Sequence, residues 1–185
     1  MAGMAIAWSA EALRADPLSA PTRKHLVLMC AGLAIAPDLD FVYPPIHRTF
    51  SHSISAVFVV GLLAALYTRR TRPEAIPAVG LLLYGLAYAS HLGLDWIGGD
   101  TKLPAGIQLL WPFSDAWFIS PVRVFRPTDL GAFFMPYTML SNALVVVREV
   151  LILSPVLAGA WFLRARQGPG AARDHRLGAA RFPDS

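Results

Sequence analysis

Two apolar runs, HLVLMCAGLAIA and ISAVFVVGLLAALY, flank the stretch PDLDFVYPPIHRTFSHS (37–53), which carries Asp38, Asp40, His47 and His52. A second polar pair, His91 and Asp95, stands in YASHLGLDW. Imidazoles and carboxylates exchange protons near neutrality and ligate borderline metal ions. His91 and Asp95 are four apart, so on a helix they share one face and can serve one ion. His47 and His52 are five apart, which on a continuous helix would splay them by about 140°. That spacing predicts His47 in the loop after Pro44-Pro45 and His52 in the first helical turn, capped by Thr49 or Ser51. Three imidazoles and three carboxylates without thiolate suit zinc, and would accept manganese or iron. More than four candidate ligands leave room for one ion or two. A divalent metal with an open position lowers the pKa of water to about 7 and supplies hydroxide for hydrolysis.

The elements that must position these residues follow from periodicity and breakers. Four segments have helical length, about 24–36, 52–68, 75–96 and 140–164, after a short helix in MAGMAIAWSAEALRADP that breaks at Asp16-Pro17. The second ends at Tyr67-Thr68-Arg69-Arg70 and the third begins near Glu74, a connection so short that the two must form an antiparallel hairpin. His47 and His52 at the start of one helix then lie beside His91 and Asp95 at the end of the other. Segment 24–36 delivers Asp38 and Asp40 to the same end. Each element has a bland reading: Pro-Asp stops helices, His91 and Asp95 form an ordinary hydrogen-bonded pair, and His52 caps its helix. Bland causes would scatter the six over both poles, whereas the hairpin gathers them at one. Arg48 is the candidate catalytic group, orienting a carboxylate or binding an anionic substrate, and Lys102 is a second anion-binding residue. His25, at a helix start beside Arg23-Lys24, and His175, in the tail, are set aside.

Composition names the solvent. The 185 residues are 55% hydrophobic and 15% charged with mean hydropathy +0.49, against about 25% charged for soluble domains, which points to a membrane protein. The net charge of +4 comes from clusters at the ends of apolar runs, at 23–24, 69–72 and 164–166 with Arg173 and Arg176 beyond. That pattern anchors helices beside anionic membrane lipid and argues against direct nucleic-acid binding. These clusters fall on the pole opposite the six polar residues, so positive charge in the cytoplasm predicts a site facing away from it, against the contrary weight of Arg48, Lys102, Arg123 and Arg126. A spanning helix needs about 20 apolar residues; 75–96 and 140–164 approach that, while 24–36 and 52–68 are short. Arg148-Glu149 lies inside 140–164, where each charge costs about 2.5 to 3.5 kcal/mol at mid-bilayer, so the two should face protein or each other. Region 97–139 mixes prolines with aromatics and predicts an ordered lid over the bundle. From Gln167 the chain is Gly, Ala, Arg and Pro without periodicity, which predicts a disordered tail over 167–185 after a single domain of 1–166. A lone cysteine, Cys30, excludes a disulfide framework and a cysteine-rich zinc site.

On PDLD, HRTFSHS, SHLGLDW and the later LLWPFSDAWFIS, in this order over roughly 31–120, the chain resembles the LexA-binding, inner-membrane-associated metal-dependent hydrolases (YdjM-like), a family of small bacterial membrane proteins. The Arg148-Glu149 segment extends the likeness towards 163. The resemblance implies metal-dependent hydrolysis at the bacterial inner membrane, with metal-site roles for Asp38, Asp40, His47, His52, His91 and Asp95. It also implies a histidine opening the first helix just before an Ala-Gly or similar pair. This chain starts at Met1-Ala2-Gly3, so either the start lies further upstream or one ligand is absent. Phe50-Ser51 stands where Gly-Phe-Thr or a similar run often precedes the second histidine, and serine can cap as threonine does. The His/Asp helical arrangement is similar, more distantly, to zinc-dependent phospholipase C and single-strand nuclease folds, which implies a phosphoester. The expectation is an all-α, membrane-embedded, multi-pass bundle of four to five helices under a Pro/aromatic-rich lid, hydrolysing a small-molecule or lipid-derived substrate. Its rivals are a non-enzymatic membrane protein with a structural or transport metal site, and an interaction protein.

Overall fold

The computed structural model describes residues 1–14, 18–43, 46–73, 80–98, 103–125 and 134–166. These form five α-helices: α1 (Ala2–Ala12), α2 (Ala20–Leu33), α3 (Ile54–Thr71), α4 (Gly80–Trp96) and α5 (Pro136–Ala165). Short 3-10 segments cover Ala36–Val42 and Phe50–His52. Among the described residues no strand forms, and one antiparallel bridge joins Ile107 to Phe118. The architecture is the expected all-α bundle. The break at Asp16-Pro17, the α3–α4 connection with Glu74, Lys102, Arg126 and the tail 167–185 with His175 lie outside the described residues.

Helix boundaries differ from the periodicity where caps decide them. Ser19 starts α2 ahead of residue 24, because its hydroxyl accepts the Thr22 N–H and Pro21 sits in the first turn, where it lacks no needed donor. The α-helix stops at Leu33, before 36. Pro37 disfavours α geometry in the residue before it, and the chain tightens into the 3-10 segment that carries Asp38 and Asp40. Ser53, rather than Thr49 or Ser51, caps α3: its backbone is extended and its hydroxyl accepts the Ala56 N–H at 3.1 Å. The Thr49 hydroxyl instead bonds the Ile46 carbonyl, and that of Ser51 bonds Asp40. His52 therefore precedes the α-helix, in the 3-10 turn. Pro136 opens α5 four residues before the expected 140, taking residues 136–139 from the lid.

Helix α4 is the centre of the bundle. Its Leu83, Tyr84, Ala87, Tyr88 and Leu92 are buried with Leu26, Cys30 and Leu33 of α2 and Ala64 of α3. Two crossings are close enough to need glycine. A Cβ on Gly61 of α3 would stand 3.0 Å from the Gly85 nitrogen of α4, and one on Gly3 of α1 would stand 2.2 Å from the Cys30 carbonyl oxygen of α2. Helix α5 lies against α1, where the buried Glu11 pairs with Arg23 and, at 2.9 Å, with Arg164, and Arg164 also covers the Trp8 ring. His25 meets Thr68 at 3.4 Å. The C-terminal ends of α1, α3 and α5 and the N-terminal end of α2 thus share one pole, which collects Arg23, Lys24, Arg69, Arg70, Arg72, Arg164 and Arg166.

At the other pole, segment 103–125 is tied across the helix ends. Ile54 N–H donates to the Leu109 carbonyl at 2.9 Å, Gln108 N–H to Arg48 at 3.0 Å, Ser120 N–H to Trp96 at 2.8 Å and Val124 N–H to Ile97 at 3.0 Å. Two described helices are long and apolar enough to cross a membrane, α3 and α5. This corrects the expectation for 52–68, because α3 continues to Thr71 and reaches 18 residues. The described part of α4 has 17 residues and turns one side to protein. Arg148 and Glu149 also depart from expectation. Adjacent helical residues point about 100° apart, so Glu149 is half-buried while Arg148 stands exposed.

The Gly3 crossing gives a test with its own control. Gly3→Val should lower the thermal midpoint of the purified protein in detergent by an amount equivalent to about 1–3 kcal/mol of overpacking. Gly32→Ala, where an added Cβ meets nothing within 4 Å, should be neutral or raise it, since alanine is the better helix former.

Candidate metal centre

Four side chains from three parts of the chain converge: Asp38 from the 3-10 segment, His52 from the turn before α3, and His91 and Asp95 from the last turns of α4. One ligand atom from each lies within 4.8 Å of the others. His52 Nε2 is 3.2 Å from Asp95 Oδ2 and 3.9 Å from Asp38 Oδ1, and His91 Nε2 is 3.2 Å from Asp38 Oδ1 and 3.6 Å from Asp95 Oδ2. Nitrogen and oxygen ligands at zinc distances in a tetrahedron stand about 3.3 to 3.6 Å from one another; three of these separations lie close to that, and the His52–Asp38 one is longer. His52 is fully buried, while Asp38 is 56% exposed by side chain and gives the group its open side.

Hydrogen bonding fixes which nitrogen of each imidazole faces the group. His91 Nδ1 lies 2.9 Å from the Ala34 carbonyl oxygen, an acceptor, so Nδ1 carries the proton and donates. His52 Nδ1 lies 3.0 Å from the Ser51 Oγ, whose own proton goes to Asp40, so Oγ accepts and Nδ1 donates. Each ring therefore turns its Nε2 towards the carboxylates. His52 Nε2, His91 Nε2 and Asp95 Oδ2 are buried, and none makes an aligned hydrogen bond. Buried polar atoms without partners are costly, and the two carboxylates draw positive charge to this point: burial lowers the His91 imidazole, but Asp38 and Asp95 outweigh it and raise the group to about 10. A divalent cation in place of that proton would meet two neutral imidazoles and two carboxylates, charge −2 in all, which it neutralises. The donor set fits such an ion.

Asp40 and His47, expected beside these four, stand one layer behind. Asp40 Oδ1 accepts from His47 Nδ1 at 2.6 Å, and Oδ2 accepts the Arg48 N–H at 3.1 Å and the Ser51 hydroxyl, with His52 Nδ1 at 3.2 Å bonded to the same Ser51 oxygen. Burial by itself raises the Asp40 carboxyl, but the His47 and Ser51 hydrogen bonds and the field of His52 and His47 outweigh it and hold the group below its ordinary value. Asp40 is thus ionised and orients His52 through Ser51, the kind of support that stands behind metal-ligating histidines. Arg48 sits in a left-handed backbone conformation, φ 64°, with its Nε 3.8 Å from Asp95 Oδ2. Three contributors escaped the sequence reading. Ser51 was weighed only as a cap, yet it links Asp40 and His52; Tyr88 donates to the Ser51 carbonyl at 2.7 Å; and Ala34 orients His91. Tyr88 lies three residues before His91, a spacing that could have flagged it. The Ala34 carbonyl has no side-chain signal.

A family model described as YdjM inner membrane protein matches residues 1–167. The chain belongs to the YdjM family. It is similar to the inner membrane protein YbcI of Escherichia coli (strain K12), 33% identical over 123 residues that cover 60% of this chain and 69% of YbcI. It is also similar to the inner membrane protein YdjM of the same organism, 42% identical over 104 residues covering 48% of this chain and 50% of that protein, and equally to YdjM of Shigella flexneri. The chain therefore spans about half the length of the YdjM proteins it matches. No solved structure matches it. Membership of an inner-membrane family agrees with the two helices of membrane-spanning length.

Ligands and backing residues should separate on metal titration. His52→Ala and His91→Ala should lose bound metal in elemental analysis of detergent-purified protein. Asp40→Asn should retain it but weaken affinity by about 10- to 100-fold in chelator competition, because it loosens the orientation of His52 without removing a donor.

Proposed function

We propose that this YdjM-family member is a multi-pass, membrane-bound metal-dependent hydrolase of the bacterial inner membrane, with Asp38, His52, His91 and Asp95 as ligands of one divalent ion. The observation that carries this reading is the convergence of two imidazole Nε2 atoms, each turned inward by a hydrogen bond at its Nδ1, with two carboxylates within 4.8 Å of one another. Two nitrogens and two oxygens favour zinc, with manganese or iron as the octahedral alternatives. When bound, such an ion supplies a Lewis acid and a water acidified to near neutrality, the requirement for hydrolysis of an ester or phosphoester.

The chain's own residues supply the rest. Ser51, itself held by Asp40, and the Ala34 carbonyl hold the imidazoles in register, so the donor set is arranged before anything binds. Arg48 is the catalytic group that binds and stabilises an anionic substrate beside Asp95. Its backbone N–H is fixed by Asp40 and its carbonyl by Gln108, which hold the loop in its strained conformation. The exposed side of Asp38 is where substrate enters. With α3 and α5 crossing the membrane and both ending at the basic pole, the positive-inside rule places that pole in the cytoplasm and the site on the opposite side.

Two experiments test this. In a screen of phosphodiester, phosphomonoester and carboxylic ester substrates, metal-replete wild type should hydrolyse one class. Arg48→Ala should keep its metal and lose about 10²- to 10³-fold in rate, the usual cost of one such electrostatic contact; a metal-loaded wild type that turns over none of them refutes the enzyme reading. For orientation, Asp115→Cys, an exposed position on the site side, placed in a Cys30→Ala background, should react with an impermeant maleimide in intact spheroplasts. Reaction only after permeabilisation puts the site in the cytoplasm.

A further inference from the structure

Behind the ligand group lies a cavity of about 600 Å³ between the 3-10 segment and α3, within the roughly 300–1,000 Å³ range of small-molecule sites. Ala56, Val59 and Val60 of α3 form one wall, Leu39 and Ile46 another, and Phe50 and Trp111, with ring centroids 6.0 Å apart, stand at the mouth. Asp40, Ser51, Ser55 and Tyr88 also line it, but the first two are engaged with His47, His52 and each other, and the Ser55 and Tyr88 hydroxyls donate to the Trp111 and Ser51 carbonyls. A lining without polar groups free to hold water is suited to hydrocarbon. Val59 is exposed on the outer side of α3, a helix of membrane-spanning length, so the cavity communicates with the surface that lipid covers.

The rim adjoins the metal centre. Leu39 is the chain neighbour of Asp38, the exposed ligand, and Ile46 is two residues from Arg48; neighbouring Cα atoms are about 3.8 Å apart. A molecule with its chain in the cavity would have its head group emerge beside Asp38 and Arg48. We propose that the cavity seats the acyl chain of an amphiphilic substrate whose anionic, phosphate-bearing head group lies at the Asp38–Arg48 side of the metal centre. This rests on the metal-site reading above and names its substrate class: a membrane lipid or lipid-linked phosphate entering sideways from the bilayer.

Photolabelling tests this without turnover. The probes are a lysophosphatidic acid with a diazirine near the end of its chain and the matching monoacylglycerol without phosphate, each in vesicles of bacterial phospholipid containing zinc-loaded full-length protein. The phosphate probe should label Ala56, Val59 or Val60, and Ala56→Trp, which fills the cavity, should reduce that labelling by about ten-fold at unchanged metal content. Val60→Phe serves in the same role should the tryptophan variant lose its metal. Labelling by the phosphate probe should fall by about five-fold in metal-free His91→Ala protein, while that by the neutral probe should not. Labels spread evenly over the lipid-facing sides of α3 and α5, or insensitive to cavity filling, overturn the chain site. Cavity labelling that ignores both phosphate and metal identifies a resident bilayer lipid and overturns the substrate assignment. Failure of the hydrolysis screen would instead count against catalysis alone, because no labelling arm depends on turnover.

Discussion

One buried carboxylate organises the metal pole. Asp40 accepts from His47, from the Arg48 backbone and from the Ser51 hydroxyl, and the Ser51 oxygen passes the link on to His52. These fill three of the roughly four lone-pair positions a carboxylate offers. A charge at that depth persists only when so engaged, since an unpaired buried ion would neutralise or unfold its surroundings. Meeting this requirement folds the loop: three donors spread over residues 47–51 must turn back on one side chain, and the left-handed Arg48 is part of that turn. Ser51, so held, sets the His52 ring. Tyr88 then fastens the turn to α4 through the Ser51 carbonyl, so the helix that carries His91 and Asp95 is held to the loop that carries His52.

Convergence at one pole was readable from the sequence because it depends only on helix direction, and helix direction follows from connection length. The division of the six residues into ligands and supports was not. PDLD offers two identical side chains two positions apart, and only the 3-10 winding of Ala36–Val42 turns Asp38 towards His91 and Asp40 towards His47. Nothing in residue type distinguishes them. His47 and His52 were equally alike until the Ser53 cap placed His52 in the buried turn before α3.

The fold was legible in class and less so at its edges, for a related reason. Hydrophobic runs in this chain report lipid as well as protein neighbours, so periodicity is blunted and caps decide the boundaries. Ser19, Ser53 and Pro136 each moved a helix start by two to four residues relative to periodicity, to residues 20, 54 and 136. The same ambiguity made α4 look like the better span and α3 too short. In the fold α4 is the packed centre, while α3 turns Phe58, Leu62, Leu63 and Leu66 outward. Arg148-Glu149 shows the limit of treating adjacent residues as a pair, since a helix separates their directions.

Helix length finally explains why the metal pole needs its cover. Helix α2 has 14 residues and α3 has 18, rising about 21 and 27 Å, against a hydrocarbon layer of about 30 Å. With the basic pole at one interface, as proposed, helices of this length would end before the far interface, and the candidate ligands would lie at membrane depth. Irregular backbone at that depth is tolerable only where its donors and acceptors are satisfied by protein. Segment 103–125 meets this condition by bonding to the ends of the helices: Gln108 to Arg48, Leu109 to Ile54, Ser120 to Trp96 and Val124 to Ile97. Ile107 is fully buried beneath it, whereas Trp111 and Phe113 stay exposed, as aromatics are placed where hydrocarbon gives way to head groups. The segment therefore extends the protein across the depth that the short helices leave uncovered, and because Gln108 bonds the Arg48 carbonyl, the same cover holds the residue proposed to meet the substrate.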